Sequence, residues 1–520
     1  MFIVFFLSQE ITKFAADFLN CLVMDATKEQ IERLIKETSE TIGVLYTTIP
    51  EDIALLEACD DSVSPLLRLV RELRMDVSFI LVDLHAAVHS LLSTEKPIEK
   101  RLHLMFISAD ILECYKLLRN FGKMRKHTIW TKIGKEINTS METCQENNCV
   151  LLHKLYNVIN SEFMAIEGAL VDKVKRDMTF HYDKDLLNVY RYIIEINSEE
   201  VGIERVIQFL GLAQSLLFFC NIAEAIEASK GYTLPVISNR PGTVFCIQKL
   251  IAEKMDSDGK IRKALNHTID KALHIDEAAK MKEGVERVKN YVKANCPQLI
   301  IPEIDNMVTM ANIHLLLQIS LADITTATIA YLNAGSEPEY PLVLRRLTIT
   351  RVSTLRHICG YDEFEGEKSL WKDIINMVPE NNKIMIAKAK AITSEIEGLI
   401  DAKDKDDRLL YVHLIDNDTN KSNVPLIIDK IENMNPLAEL EKAKALVEVM
   451  NKMQRFLKEL MGELGKNAHV QAERSKAELK STIKAIRDVI NKSNCFNPQC
   501  KEFSEQFDRF DNFVDSIYRI

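Results

Sequence analysis

The chain has 520 residues, of which 27% are charged and 7% aromatic, with only 16 glycines and 13 prolines. This composition is typical of long amphipathic helices and predicts an almost all-α protein, of a length that suits two large domains or about three smaller ones. The net charge of -10 argues against a general nucleic-acid coat protein, because non-specific affinity comes from Lys and Arg neutralising phosphates, so any nucleic-acid site must be a local patch.

The chain opens with an apolar run, MFIVFFL, that is seven residues long and lacks a cationic flank. We predict neither a signal peptide nor a membrane span there; residues 1–23 form an extra helix or are encoded upstream of a start at Met24. The apolar run from Phe209 to Cys220 is also too short to span a bilayer. The eleven cysteines complete no zinc-binding set. We expect reduced thiols, no metal, no membrane association and a cytoplasmic location.

Apolar residues at helical spacing predict a series of helices in the first half of the chain. One helix begins at about residue 28 and a new one at Pro50. Further helices are predicted at 66–92, 99–119, 147–166 and 202–228, and Trp130 opens another segment between the second and third of these ranges. Asn120 and Gly122 follow the helix at 99–119 as C-cap residues would. The turn-rich stretch GYTLPVISNRPG, residues 231–242, is the best candidate for a linker between two halves.

Beyond this linker the same features return in the same order. Corresponding pairs, the first from each half, are Pro50 and Pro302, Leu92 and Leu332, Pro97 and Pro338, Gly122 and Gly360, and Trp130 and Trp371. The offset drifts from 252 to about 240, as loop insertions and deletions would make it do, and the common order of the features indicates a tandem duplication. We therefore predict a first helical-bundle unit at residues 1–235, a linker region at 236–275, a second unit at 276–465 and a C-terminal helical appendage at 466–520.

One element occurs near the end of each predicted unit: an Ile-Glu-Gly helix, then an arginine, and five positions later a histidine. The arginine and histidine are Arg176 and His181 in the first unit and Arg408 and His413 in the second. An arginine holds a phosphate in a planar fork and a histidine exchanges a proton near neutral pH, so each pair suits phosphodiester chemistry without a metal. Residues five apart lie about 140° around a helix, so the two side chains converge on one phosphate only near a helix end or in a groove.

In the first unit Arg176 is followed by Asp177 and, after three more residues, by His181 ahead of a helix. This pattern resembles the motif of the HEPN superfamily, especially its abortive-infection-type members, and the resemblance covers residues 28–230 and 280–465 in helical order. It implies small helical bundles, many of them metal-independent ribonucleases that need no cofactor, in which two motifs face one another in a dimer. A tandem duplication would place both motifs in one chain as an internal pseudo-dimer.

The resemblance implies that Arg176, His181, Arg408 and His413 are catalytic. One histidine would remove the 2'-hydroxyl proton, a second or a water would protonate the leaving oxygen, and the arginines would stabilise the charge on phosphorus. The predicted substrate-binding residues lie close in sequence to the first motif; they are Lys173, Lys175, Asp177 and Tyr182. The implied partners are RNA and a protein partner or antitoxin, in phage defence or a toxin system.

The second copy departs from the family pattern. Leu409 stands where Asp, Asn or His is preferred, and Asp404, Asp406 and Asp407 precede it and would repel a phosphate. The first copy is therefore expected to carry more of the activity. The same arginines and histidines could instead be structural, in which case the chain is a non-catalytic all-helical interaction or scaffold protein with a degenerate HEPN site.

Other patterns give no competing chemistry. His85 and His89 are four apart on one helical face, a spacing that suits a metal, but the surrounding face is apolar and predicts core or interface histidines. The sequence contains no P-loop, no dinucleotide-binding motif and no DNA-binding motif.

Overall fold

Nearly all regular structure in the part of the chain that can be described is helical. The computed structural model describes residues 28–60, 62–94, 96–120, 127–143, 147–170, 186–187, 190–191, 199–232, 234–235, 259–272, 275–295, 302–359, 369–416, 419 and 421–492. Within those ranges every secondary-structure element of more than one turn is an α-helix. The β structure there is a single isolated bridge between Ile415 and Ser422. The predicted all-α class is confirmed for these residues.

Fifteen helices are described, and they are numbered here in chain order. The first six are α1 (Lys28–Ala58), α2 (Pro65–Leu92), α3 (Pro97–Leu118), α4 (Ile129–Thr143), α5 (Asn147–Leu170) and α6 (Glu199–Ser229). The next five are α7 (Lys260–Ala272), α8 (Ile275–Asn295), α9 (Pro302–Asn333), α10 (Glu339–Cys359) and α11 (Leu370–Asn376). The last four are α12 (Lys383–Glu397), α13 (Ala402–Val412), α14 (Val424–Glu432) and α15 (Pro436–Lys492).

Local chemistry explains where several of these helices begin and end. α2 begins with Ser64, whose hydroxyl accepts a hydrogen bond from the Leu67 N–H, followed by a proline in the first turn. α3 ends at Asn120, which has a φ of 54° and donates its N–H to the Tyr115 carbonyl, so the predicted cap is confirmed there; Gly122 lies outside the described residues. α6 ends at Gly231, whose φ of 90° suits the left-handed conformation that closes a helix.

Two helices run further than the sequence predicts. Pro50 does not begin a new helix but lies inside α1, so one long helix replaces two. The predicted appendage does not begin with a separate helix, because α15 continues from Pro436 to Lys492. No proline interrupts that stretch after its first residue, and glycine alone costs a helix only about 1 kcal/mol, so nothing in the sequence forces an end near residue 465.

The chain divides into two compact units. The larger comprises Met1–Met377 with Thr393–Met450, and the smaller comprises Val378–Ile392 with Asn451–Ile520. In the larger unit α2 packs against α1, α3, α4 and α6, and α9 packs against α7, α8, α10 and α11. These two helices are the centres of the two predicted halves, and the halves meet where α3 packs on α9 and α10 packs on α2.

The smaller unit holds part of α12 and the distal part of α15. Within it, Lys388 forms an ion pair of 2.6 Å with Glu459.

Among the described residues, three helices are apolar and long enough to cross a membrane when judged by length and composition only. They are Pro65–Leu92, Gln208–Ser229 and Ile304–Asn333. The first and third are also the central helices of the protein core, where they are 89% and 94% buried, against 56% for the second. The apolar stretch of α6 is thus longer than the run from Phe209 to Cys220 suggests.

Candidate functional site

The second predicted motif lies on α13 and at its C-terminal end. Asp401 caps the start of α13, because its side chain accepts a hydrogen bond of 3.0 Å from the Lys403 N–H. Arg408 belongs to the helix, and His413 is its C-cap, with extended backbone angles that turn the chain away from the axis. The motif therefore occupies a helix end, as the sequence spacing requires.

Arg408 is a buried side chain, with 5% of its surface exposed. Its Nε donates a hydrogen bond of 2.9 Å to the hydroxyl of Ser353, on α10. A guanidinium used in this way supports the packing of α13 on α10. Burial and this contact do not favour an open arginine that receives a phosphate from solvent.

Two of the three aspartates before Arg408 pair with cations of the protein. Asp404 accepts hydrogen bonds from Arg351 at 2.6 Å and from Lys442 at 2.9 Å, and Asp407 pairs with Lys430 at 2.6 Å. Burial alone would raise the pKa of Asp404, but Arg351 and Lys442 hold this pKa below its ordinary value. The acidic character that would repel a phosphate is therefore largely balanced within the fold.

His413 faces a buried carboxylate from the first half of the chain. Its Nδ1 lies 3.3 Å from Oε2 of Glu113, on α3, while Lys116 donates to the other oxygen at 2.6 Å. Burial would raise the pKa of Glu113, but the hydrogen bond from His413 and the charge of Lys116 bring this pKa below its ordinary value. The His413 side chain is 30% exposed, so the imidazole is held but is not sealed from solvent.

The loop that begins at His413 is tied back on itself and to α2. The Asn423 side chain donates a hydrogen bond of 2.8 Å to the His413 carbonyl, and Ile415 bridges Ser422. The hydroxyl of Ser422 donates a hydrogen bond of 2.6 Å to Asp76, a fully buried residue of α2. Burial, with Glu72 next, raises the pKa of Asp76 well above its ordinary value, while the hydrogen bond from Ser422 opposes this rise.

The first predicted motif cannot be placed. Arg176 and His181, together with the predicted substrate-binding residues Lys173, Lys175, Asp177 and Tyr182, lie outside the described residues. In the second motif, Arg408 and His413 have partners on different helices, α10 for the arginine and α3 for the histidine. Whether the two motifs face each other stays a prediction.

Buried ionic contacts join the two halves near the motif. Arg345, on α10, donates a hydrogen bond of 2.8 Å to Asp83 of α2, and Arg346 donates to Asp83 and to Asp110 at 2.8 and 3.0 Å. In the reciprocal direction Arg101, on α3, pairs with Asp323 of α9. Every one of these charges is removed from water and paired, as buried charges must be.

The two histidines that sequence spacing singled out share one carboxylate. Nδ1 of His89 is 2.6 Å from Oε2 of Glu339, and Nδ1 of His85 is 3.4 Å from Oε1. The same Glu339 accepts the Gly335 N–H at 2.7 Å, which fixes the start of α10. Among the described residues no group of three or more His, Cys, Asp or Glu could hold a metal ion.

Comparison with known proteins offers no further guide. No protein-family model matches the chain, and no curated protein or solved structure is significantly similar to it.

Several residues of this region are not evident from the sequence motif alone. Glu113 and Ser353, the partners of His413 and Arg408, lie about 300 and 55 positions away in the chain. One usable indication was present, since Asp83 and the pair Arg345 and Arg346 interrupt apolar helical runs. A charge in such a run must find a buried partner.

Proposed function

We propose that this chain is an HEPN-like, metal-independent RNA-cleaving or RNA-binding protein, built by tandem duplication as an internal pseudo-dimer. A role in phage defence or a toxin system is the setting that the resemblance implies. The observation that carries the proposal is the reciprocal contact between the halves, because an HEPN-like site is composite and needs two motifs held together.

The reciprocal contact has the form of an isologous interface. Asp83 and Asp323 are 240 positions apart, as are Leu92 and Leu332. Each aspartate lies on the central helix of its half and binds an arginine in the first two turns of the other half's next helix. In a two-fold symmetric pair, each partner contributes the same type of residue to the other. The reciprocal contacts here have this form, which supports a duplicated origin.

The helices that lead to the motifs also correspond. Trp130 on α4 stacks on Tyr156 of α5 at 4.7 Å between ring centroids, and Trp371 on α11 donates a hydrogen bond of 3.0 Å to Thr393 of α12. In both halves the tryptophan helix thus contacts the helix that ends in Ile-Glu-Gly.

The glutamates of these Ile-Glu-Gly segments lie near equivalent helices. Glu167 accepts a hydrogen bond of 3.0 Å from Tyr115 on α3. Burial, with the charge of Glu397 next, raises the pKa of Cys359 at the end of α10 to about 12. Both glutamates are therefore near the C-terminal part of the helix that crosses to the other half.

The two motifs would contribute unequally. Arg408 is buried against Ser353, so we assign phosphate binding to Arg176 and its neighbouring lysines, and proton transfer to His181 with His413 as the second histidine. The charge balance of the protein, -10 overall, would confine RNA to this local site.

The test is cleavage of a mixed-sequence RNA by the purified full chain in the presence of EDTA. His181→Ala should lower the rate by about 10²- to 10⁴-fold, the usual contribution of general acid-base catalysis, and His413→Ala should lower it less. His267→Ala is a matched control, because His267 also follows an arginine by five positions but is exposed on α7, outside the repeat. Loss of cleavage with EDTA, restored by a divalent ion, would rule out the metal-independent mechanism.

One observation favours a second candidate, a non-catalytic helical interaction protein. The buried Arg408 and its bond to Ser353 are those of a structural residue. This candidate predicts that the protein neither binds nor cleaves RNA and that His181→Ala changes only the melting temperature. RNA binding or cleavage by the wild-type chain supports the first function, and the absence of both supports the second.

A further inference from the structure

His413 begins a segment whose described residues are tied to one another by hydrogen bonds. Its own carbonyl accepts a hydrogen bond from the Asn423 side chain, the Asn423 backbone N–H donates to the Leu414 carbonyl at 2.8 Å, and the Asp416 backbone N–H donates to the Lys421 carbonyl at 2.9 Å. Ser422 anchors the far end of the loop on Asp76. With the backbone fixed at both ends, little remains free at His413 except rotation of the ring and the position of its proton.

Glu113 fixes both the rotation of the His413 ring and the position of its proton. A carboxylate can only accept, and the hydrogen bond from His413 and the charge of Lys116 hold the pKa of Glu113 below its ordinary value in spite of burial, so the proton of a neutral His413 must lie on Nδ1, the nitrogen that faces Oε2. The second nitrogen, Nε2, then points away from Glu113 and is unprotonated. A neutral imidazole in this state is ready to accept a proton.

We propose that Glu113 is a positioning residue for His413: a buried carboxylate from the first half of the chain fixes the ring and the tautomer of a histidine from the second half. Its catalytic significance rests on the proposed RNA cleavage, but its geometry does not. The arrangement follows the logic of a buried carboxylate that orients a catalytic imidazole without itself taking the proton. It also makes the second motif incomplete without α3.

Lys116 supplies the internal control for this contact. It binds Oε1 of Glu113 and lies three positions further along α3, with its own side chain 24% exposed. Lys116→Met removes a charge next to Glu113 while leaving the oxygen that faces His413 in place. Glu113→Gln keeps the shape of the side chain and removes the obligatory acceptor.

The first measurement is the tautomer of His413 in the full chain, by ¹⁵N NMR of histidine-labelled protein at pH of about 8, where ordinary imidazoles are neutral. His413→Asn identifies the signal by its loss. The wild type and Lys116→Met should show a protonated Nδ1, and Glu113→Gln should show a mixture of both tautomers. A protonated Nε2 in the wild type, or a signal that Glu113→Gln does not change, would overturn the proposal.

The second measurement separates positioning from the proposed function. General acid-base catalysis contributes about 10²- to 10⁴-fold, and loss of the orienting carboxylate forfeits part of it, so Glu113→Gln should lower kcat by about 10- to 100-fold with KM unchanged, and Lys116→Met should not. An altered tautomer with an unchanged kcat would show a merely structural contact and overturn the positioning role. A wild-type chain that neither binds nor cleaves RNA refutes the proposed function, while the tautomer result still decides whether Glu113 orients His413.

Discussion

Buried ion pairs join the two predicted halves of this protein at two contacts, and the two contacts contain different numbers of charged groups. Where α3 meets α9, one arginine and one aspartate, Arg101 and Asp323, form the contact. Where α10 meets α2, Asp83 binds both Arg345 and Arg346, and Asp110 binds the second arginine. A simple pair thus forms one contact between the predicted halves, and a cluster of two acids with two bases forms the other.

This difference shows how a buried interface tolerates an added charge. A second arginine beside Asp83 would leave a net positive charge in the core, which Asp110 balances when it is ionised. The added carboxylate carries a cost of its own. Burial, with repulsion from Asp83 next and Arg346 opposing both, raises the pKa of Asp110 to about 7. The cluster therefore holds a group that titrates near neutral pH.

Removal of Asp83 should have the largest effect on stability. Asp83→Ala takes one carboxylate from two buried guanidinium groups, and breaking a buried ion pair typically costs about 3 to 5 kcal/mol. We expect the upper part of that range, measured as the shift of the main urea unfolding transition. Asp406→Ala, an exposed aspartate of α13, is the matched control. A loss close to that of the control would mean that the cluster is hydrated rather than buried.

Removal of Asp323 should cost less, because it deprives one arginine rather than two. We expect Asp323→Ala to lower the unfolding free energy by about 3 kcal/mol in the same urea experiment. A larger loss of unfolding free energy in Asp323→Ala than in Asp83→Ala would contradict the expectation that leaving two arginines unpaired costs more than leaving one unpaired.

The simple pair also allows a compensating change. Replacing both partners of a buried pair by apolar residues is often neutral or stabilising. Arg101→Met combined with Asp323→Leu should therefore bring the unfolding transition back to within about 1 kcal/mol of the wild type. A double variant as unstable as Asp323→Ala would show that the charges themselves, and not only their pairing, hold α3 on α9.

Sequence patterns predict helix order better than helix contacts. The helix at 66–92 and the cap at Asn120 follow from periodicity and turn chemistry, which act between near neighbours. The prediction at Pro50 was wrong, because α1 runs through this proline although a proline in a helix interior removes a backbone hydrogen bond and usually kinks or ends the helix. Partners such as Asp83 and Arg345, 262 positions apart, depend on the fold as a whole and leave no trace in spacing.

The candidate site shows the same limit. The sequence predicts that Arg408 and His413 lie at a helix end, and the C-cap position of His413 agrees with this. It does not predict that Ser353 holds the arginine or that Glu113 holds the histidine, since both partners come from other helices. The catalytic roles of all four motif residues stay predictions.

The smallest expected effect is a pH dependence that belongs to the larger cluster. Because the pKa of Asp110 is about 7 in the folded chain and about 4 in an unfolded one, its contribution is fully present below pH 4 and is lost as pH rises toward 7. The unfolding free energy should fall by about 1 kcal/mol between pH 5.5 and 6.5, within the limit of about 1.4 kcal/mol per pH unit for one proton. Asp110→Asn imitates the protonated form, so it should flatten this slope, whereas Asp406→Asn should not. An unchanged slope in Asp110→Asn would mean that Asp110 stays ionised throughout and that the two ionic contacts differ in number of charges but not in titration.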